Sequence, residues 1–409
     1  MTGDSNNKKR TRAHEDAEKR VAEAASKREM LDRLKWSSDD LKIKAAGKIV
    51  FLPAWVTLGD VPIISRGTIN LIQGKAGAHK SRFAETLAGL LLSDGRKDFL
   101  GFKRYRGSEG YCVAYVDTER NCLEDFPAAI QRIRTAAGYR PTEDTPNFYP
   151  VSIKQETRED RLTAVRTWID HVQDDMYNRG VGDWNLFVVL DVVTDCARSF
   201  NNDSDSLLLF DYIGNLCEDT GAAFLLLLHE NPGTEKARGH IGTEGLNKAN
   251  TQIQIGYERK ENGEDTELIK VKFLKTRNAA KPEPLYFQFS RTEGGLVAAD
   301  KERVREVLAE KTKAGNIEIA AEAMERVMVG RGEITKQDIL TLLAAEAGIS
   351  ERTAERRVND LISTGYTLRD DQGRACVLIA TRATGRATTY TLQPSSEGKG
   401  SDKDGDIPF

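Results

Sequence analysis

The octet Gly74-Lys75-Ala76-Gly77-Ala78-His79-Lys80-Ser81 stands between a short apolar run and a helix-like stretch. The spacing predicts a strand over residues 68–73 and a helix over Lys80–Leu92. A strand turned by glycines into a helix belongs to layered α/β architecture. The backbone N–H groups of such a turn, with the positive end of the helix, can wrap phosphate. Gly74, Lys75, Ala76, Gly77, Ala78 and His79 would supply the wrapping backbone. Lys80 would supply a point charge, and Ser81 an oxygen for Mg²⁺ bound with ATP. His79 stands where the usual pattern, GxxxxGK[ST], has its second glycine. A side chain there strains the loop if the backbone needs a positive φ.

The surroundings extend the same pattern. Residues 111–116, 186–190 and 223–228 are apolar runs that read as buried strands, and residues 123–137, 162–177 and 207–220 as helices. Such alternation indicates a mainly parallel sheet covered on both faces. After Asn250, residues 251–258, 268–274 and 285–289 read as successive strands, suited to an antiparallel extension at the sheet edge. Residues 300–330 look helical. Lys336–Ala347, a turn at Gly348-Ile349-Ser350 with Ser350 as N-cap, Glu351–Thr364 and a strand pair within 377–392 follow the winged helix-turn-helix outline. The expected division is a charged arm, helical or disordered (1–45), an α/β core (46–295), a helical connector (296–330), a winged-helix-like domain (331–393) and a disordered acidic tail (394–409).

Composition narrows the partners. The 60 Lys plus Arg against 63 Asp plus Glu leave a net charge of −3, which excludes a wholly basic coat but not a local basic patch. The 5 cysteines include no CxxC pair, which argues against a disulfide framework or a zinc ribbon. The apolar runs are too short to span a bilayer and the N-terminus lacks an apolar signal core, so a cytoplasmic protein without a membrane partner is expected.

Two predicted strands end in acids. The run Leu186-Phe187-Val188-Val189-Leu190-Asp191 delivers Asp191 to a place where it can orient a Mg²⁺-bound water. The run Val113-Ala114-Tyr115-Val116-Asp117-Thr118-Glu119 delivers Glu119, a general base for the attacking water. Asp117-Thr118-Glu119 resembles the catalytic glutamate segment of RecA-like ATPases. Leu225-Leu226-Leu227-Leu228-His229 resembles the γ-phosphate sensor strand of RepA-type hexameric helicases, with His229 at its tip. Lys275-Thr276-Arg277 resembles the Lys-x-Arg of DnaB-type helicases, whose cations reach a neighbouring subunit's γ-phosphate. The resemblance covers residues 55–290 and implies a RecA-like ATPase of the RepA-like branch, working as a homo-oligomeric ring on DNA. It also implies that residues 195–206 and 235–240 are channel-facing loops able to touch single-stranded DNA.

Two further features point outward. The helix Glu351–Thr364 carries Arg352, Arg356 and Arg357 beside Asn359, side chains able to bridge guanine or phosphate of duplex DNA. The end of the chain, Asp406-Ile407-Pro408-Phe409, resembles the acidic tip of bacterial single-stranded-DNA-binding proteins. That resemblance implies docking to host replication or repair proteins through Ile407, Pro408 and Phe409. Three functions stay open: a DNA-dependent motor or helicase, a nucleotide-gated loader or DNA-binding regulator that unwinds nothing, and a signalling or metabolic ATPase without nucleic acid. The winged-helix outline argues against the third, and His79, which could slow turnover, favours the second.

Overall fold

The computed structural model describes residues 4–95, 99–107, 109–199, 202–231, 234, 236–260, 264–314, 316–382 and 387–394. The chain forms two compact units, Met1–Pro53 and Ala54–Phe409. In the first, α1 (Asp4–Ala46) is one continuous helix of 43 residues. Its Lys, Glu, Arg and Ala content favours helix, and pairs such as Lys44–Asp40 at 2.7 Å add local support. Val21, Met30, Leu31, Leu34, Trp36, Leu41 and Ile43 are exposed. Among the residues of this helix whose burial is described, none is buried.

The second unit begins with β1 (Val56–Leu58) and β2 (Val61–Ile64), an antiparallel pair. Then come β3 (Ile69–Gly74), α2 (Lys80–Leu92) and β4 (Phe102–Arg104), which joins β1 in a small sheet. The core continues with β5 (Tyr111–Asp117), α3 (Asp125–Ala137), β6 (Phe148–Ser152), α4 (Arg161–Asn178), β7 (Asn185–Asp191), α5 (Asp203–Thr220), β8 (Ala223–His229) and α6 (Gly239–Lys248). It closes with β9 (Thr251–Arg259), β10 (Asp265–Thr276), β11 (Leu285–Ser290) and β12 (Gly295–Ala298). The large sheet has the order β12-β11-β10-β9-β3-β8-β7-β5-β6. From β9 to β6 every pairing is parallel, and β10, β11 and β12 are antiparallel. The antiparallel extension therefore starts one strand later than expected, at β10, and gains β12 at the edge, because α6 carries the chain back and lets β9 enter parallel to β3.

Residues alternate between two cores, as strand geometry requires. Val113 and Tyr115 of β5 pack with Phe83 and Leu87 of α2 and Ile133 of α3. Cys112, Ala114 and Val116 pack on the other face with Ile169 of α4 and Phe210 and Ile213 of α5. The small β1-β2-β4 sheet and β6 escape the apolar-run reading because they are short and carry polar residues or proline.

Beyond the sheet lie α7 (Lys301–Ala314), α8 (Ile317–Met328), β13 (Ile334–Thr335), α9 (Lys336–Ala347), α10 (Glu351–Thr364), β14 (Leu368–Arg369), β15 (Ala375–Thr381) and β16 (Thr389–Pro394). Helices α8, α9 and α10 share a third core with an antiparallel sheet of order β13-β16-β15-β14. Ser350 caps α10 as expected, accepting from Thr353 N at 3.2 Å. Helix α7 is tied to the large sheet by Lys311–Glu258 at 2.7 Å. No helix among the described residues is long and apolar enough to cross a membrane.

Candidate nucleotide site

Strand β3 ends at Gly74, where a Cβ would collide with the Ile255 carbonyl. The loop then turns through Gly77 and His79, both with positive φ, 74° and 64°. For His79 that left-handed backbone costs roughly 1–2 kcal/mol. The imidazole is held in return. Its Nε2 lies 2.8 Å from the Tyr257 hydroxyl and its ring stacks on Phe289 with centroids 5.2 Å apart. Strands β9 and β11 thus brace the loop from the side, which local spacing could not reveal. Burial, then the Arg82 charge, pushes the His79 pKa down.

Helix α2 opens with no side-chain cap and no acid in its first turn. Its leading N–H groups are left for an external acceptor, and its dipole favours an anion. Buried Lys80 curls over the loop, donating to Gly74 O at 3.0 Å and Lys75 O at 2.9 Å. Burial lowers its pKa, against the pull of Asp191, Glu119 and Glu230.

Glu119, Asp191 and His229 come to the same place from β5, β7 and β8, whose C-terminal ends share the side of the sheet where the loop leaves β3. His229 Nδ1 lies 3.3 Å from Lys80 Nζ, and its Nε2 3.4 Å from Glu119 Oε1. The bond to His229 holds the Glu119 carboxyl below its usual value, against the effect of burial. Asp191 is buried, which pushes its pKa up; Arg120, the Ser81 hydroxyl and Tyr115 oppose that shift. A hydroxyl bonded to a carboxylate beside a phosphate cradle is an oxygen donor set that suits Mg²⁺.

Three residues that sequence spacing missed complete the floor. Arg120 binds Asp117, Asp191 and Glu85 together, and Tyr115 donates to Asp191 Oδ2 at 2.9 Å. Burial pushes Glu85 up to about 7, against its arginine partners. A Glu inside the otherwise apolar run of α2 was the one visible signal. Beside the loop, a cavity of about 160 Å³ is lined by Lys75, Tyr257, Arg259, Asp265, Lys270 and Lys272.

Lys275 and Arg277 are elsewhere. Thr276 pairs with Thr251 and Thr251 with Asn70, so both cations lie at the end of the sheet opposite the loop. Lys275 Nζ donates to Leu246 O at 2.6 Å and Asn247 O at 3.0 Å, and Arg277 to Asn247 O at 3.2 Å. Within the chain they cap the end of α6, where cations are favoured.

The described residues of the two expected loops are tied to neighbouring elements. Within 195–206, Asp195 is pinned by Arg158 at 2.8 Å and Arg161 at 3.4 Å, and α5 starts at Asp203. Within 235–240, α6 starts at Gly239, and His240 meets Asp203. On α10, Arg352, Arg356 and Asn359 are exposed, whereas half-buried Arg357 is turned to Asp360 at 3.0 Å. The i+5 spacing from Arg352 takes Arg357 off the exposed stripe. Ile407, Pro408 and Phe409 lie outside the described residues.

No curated protein matches this chain. Among solved structures, the crystal structure of the RadB recombinase is similar at a TM-score of 0.38 and 14% identity, covering 57% of this chain and 92% of that one. A family model described as an AAA domain matches residues 50–235, a segment that holds the phosphate loop, Glu119, Asp191 and His229 and supports an ATPase.

Proposed function

We propose that the protein is a RecA-like ATPase that acts on DNA as a homo-oligomer. The observation that carries the reading is the uncapped start of α2 facing Lys80, Glu119, Asp191 and His229 in one site. The N–H groups of residues 75–81 and the Lys80 ammonium bind and orient the β- and γ-phosphates. Ser81 and Asp191 would hold Mg²⁺, which neutralises phosphate charge when bound. Glu119, kept ionised by His229, accepts a proton from the attacking water. His229, in contact with both Lys80 and Glu119, would register the γ-phosphate.

Arg277 can reach a phosphate only in another copy, which supports a site shared between subunits. Residues 195–206 and 235–240 would face single-stranded DNA. The unit of α8 to β16, read as a winged helix over 331–393, would present Arg352, Arg356 and Asn359 to duplex DNA. Residues 394–409 would form a tail docking host replication or repair proteins through Ile407, Pro408 and Phe409.

The test is ATP turnover with and without single-stranded and duplex DNA, paired with a strand-displacement assay. DNA-stimulated turnover with strand release supports a motor. Stimulation without release supports a loader or nucleotide-gated regulator. Turnover indifferent to DNA, together with no salt-sensitive duplex binding by the full chain, sinks the DNA reading.

A further inference from the structure

We infer that Arg120 is a built-in cation that keeps the metal-facing side of the phosphate site charge-compensated until nucleotide arrives, so that divalent ion and nucleotide enter together. The inference rests on the nucleotide reading above. The guanidinium spans three elements, reaching Glu85 Oε1 on α2 at 2.9 Å, Asp191 Oδ2 on β7 at 2.9 Å and Asp117 Oδ2 on β5. All three carboxylates are buried, at 4%, 4% and 0% exposure, so their charges are poorly screened by water. The faces of Tyr115 and Phe126, each with its centroid 5.2 Å away, fix the guanidinium, as a planar cation allows and an ammonium does not.

The consequence is chemical. Among the described residues no group of three or more His, Cys, Asp or Glu side chains is placed to hold a metal ion. The carboxylates that converge beneath the phosphate loop converge on a guanidinium instead. A divalent ion arriving alone meets charges already neutralised. One arriving with phosphates brings its own negative ligands and needs only Ser81 and Asp191 from the protein. Arg120 also shapes the reacting side. Asp117 Oδ1 accepts the N–H groups of Glu119 at 3.2 Å and Arg120 at 2.8 Å, so the residue that holds Asp117 also steadies the backbone presenting Glu119. Arg120 is thus a positioning residue.

The experiment titrates the full-length protein with Mn²⁺ alone, read by electron paramagnetic resonance, and then repeats the titration with ADP. Wild type should bind free Mn²⁺ weakly and Mn²⁺ with ADP tightly. Arg132 still holds Glu85 at 2.8 and 2.9 Å, so Arg120→Gln uncovers Asp117 and Asp191, and it should bind free Mn²⁺ at least about tenfold tighter than wild type. Adding Asp191→Asn should remove that gain. A folded Arg120→Gln protein with wild-type affinity for free Mn²⁺ overturns the inference. If that variant does not fold, Arg120→Gln combined with Glu85→Gln decides, since it removes one buried carboxylate together with the guanidinium: tighter binding of free Mn²⁺ supports the inference and unchanged binding overturns it. Wild type that binds no ADP would overturn the nucleotide reading instead, leaving the free-Mn²⁺ comparison intact.

Discussion

The two ends of the large sheet carry charge in different ways. At the C-terminal ends of β3, β5, β7 and β8, polar and charged groups answer one another within a mostly buried network, open to solvent at Glu119: Lys80 with His229, His229 with Glu119, Arg120 with three buried carboxylates. At the other end, Lys275 and exposed Arg277 rest on the last carbonyls of α6. The first end is built within one chain and costs desolvation to build. The second is loosely held, its cations bonded to helix carbonyls that water could serve as well. On the proposed function, the difference teaches that one chain can gather the groups that would bind phosphate and still leave to a second copy the cations that would act in turnover.

If that contrast is right, the largest effect comes from the loosely held end. Arg277→Ala should lower ATP turnover by about 10³-fold, the scale of an arginine finger, while ATP affinity stays near wild type. Mixing it with Glu119→Gln protein should restore part of the activity, because some interfaces then carry neither lesion. Stopped-flow turnover on co-assembled mixtures reads this, and a mixture that stays inactive breaks the comparison. Lys80→Ala should weaken ATP binding by roughly 100-fold through loss of a charge-assisted phosphate contact. Calorimetry with a non-hydrolysable analogue measures it, and unchanged affinity would mean the buried end is no phosphate site.

A smaller effect concerns pH. His229 is the main cause that holds Glu119 below its usual 4.5, so with Glu119 as the base the acidic limb of turnover should lie below that value in wild type. Removing the bond lets the carboxyl rise, so His229→Asn should move the limb to higher pH. A kcat profile against pH in each protein checks the direction, and a limb that does not move removes His229 from the Glu119 environment.

The smallest effect is on stability. His79→Gly relieves the left-handed backbone but loses the Tyr257 and Phe289 contacts, so stability should stay within about 1 kcal/mol of wild type. His79→Ala keeps the strain, loses the contacts, and should be the less stable of the two by roughly 1 kcal/mol. Chemical denaturation distinguishes them, and the reverse order would show that the loop does not need its positive φ.

Helix period, N-caps and apolar runs determined much about this protein from sequence alone. Helices α2, α9 and α10 begin and end where their spacing placed them, α10 at its Ser350 cap, and β5, β7 and β8 lie within a residue or two of their apolar runs. The turn from β3 into α2, and the acids and histidine at the ends of those strands, were legible for the same reason: each is a local feature of the chain. What only the tertiary structure decided depends on partners far apart in sequence. Glu85 and Asp191 meet at Arg120, and His79 meets Tyr257 and Phe289. The parallel entry of β9 puts the end of β10, with Lys275 and Arg277, opposite the loop. Spacing reports which side chains share a face of one element, whereas the order and direction of strands choose which elements become neighbours, and that choice is made by burial summed over the whole sheet.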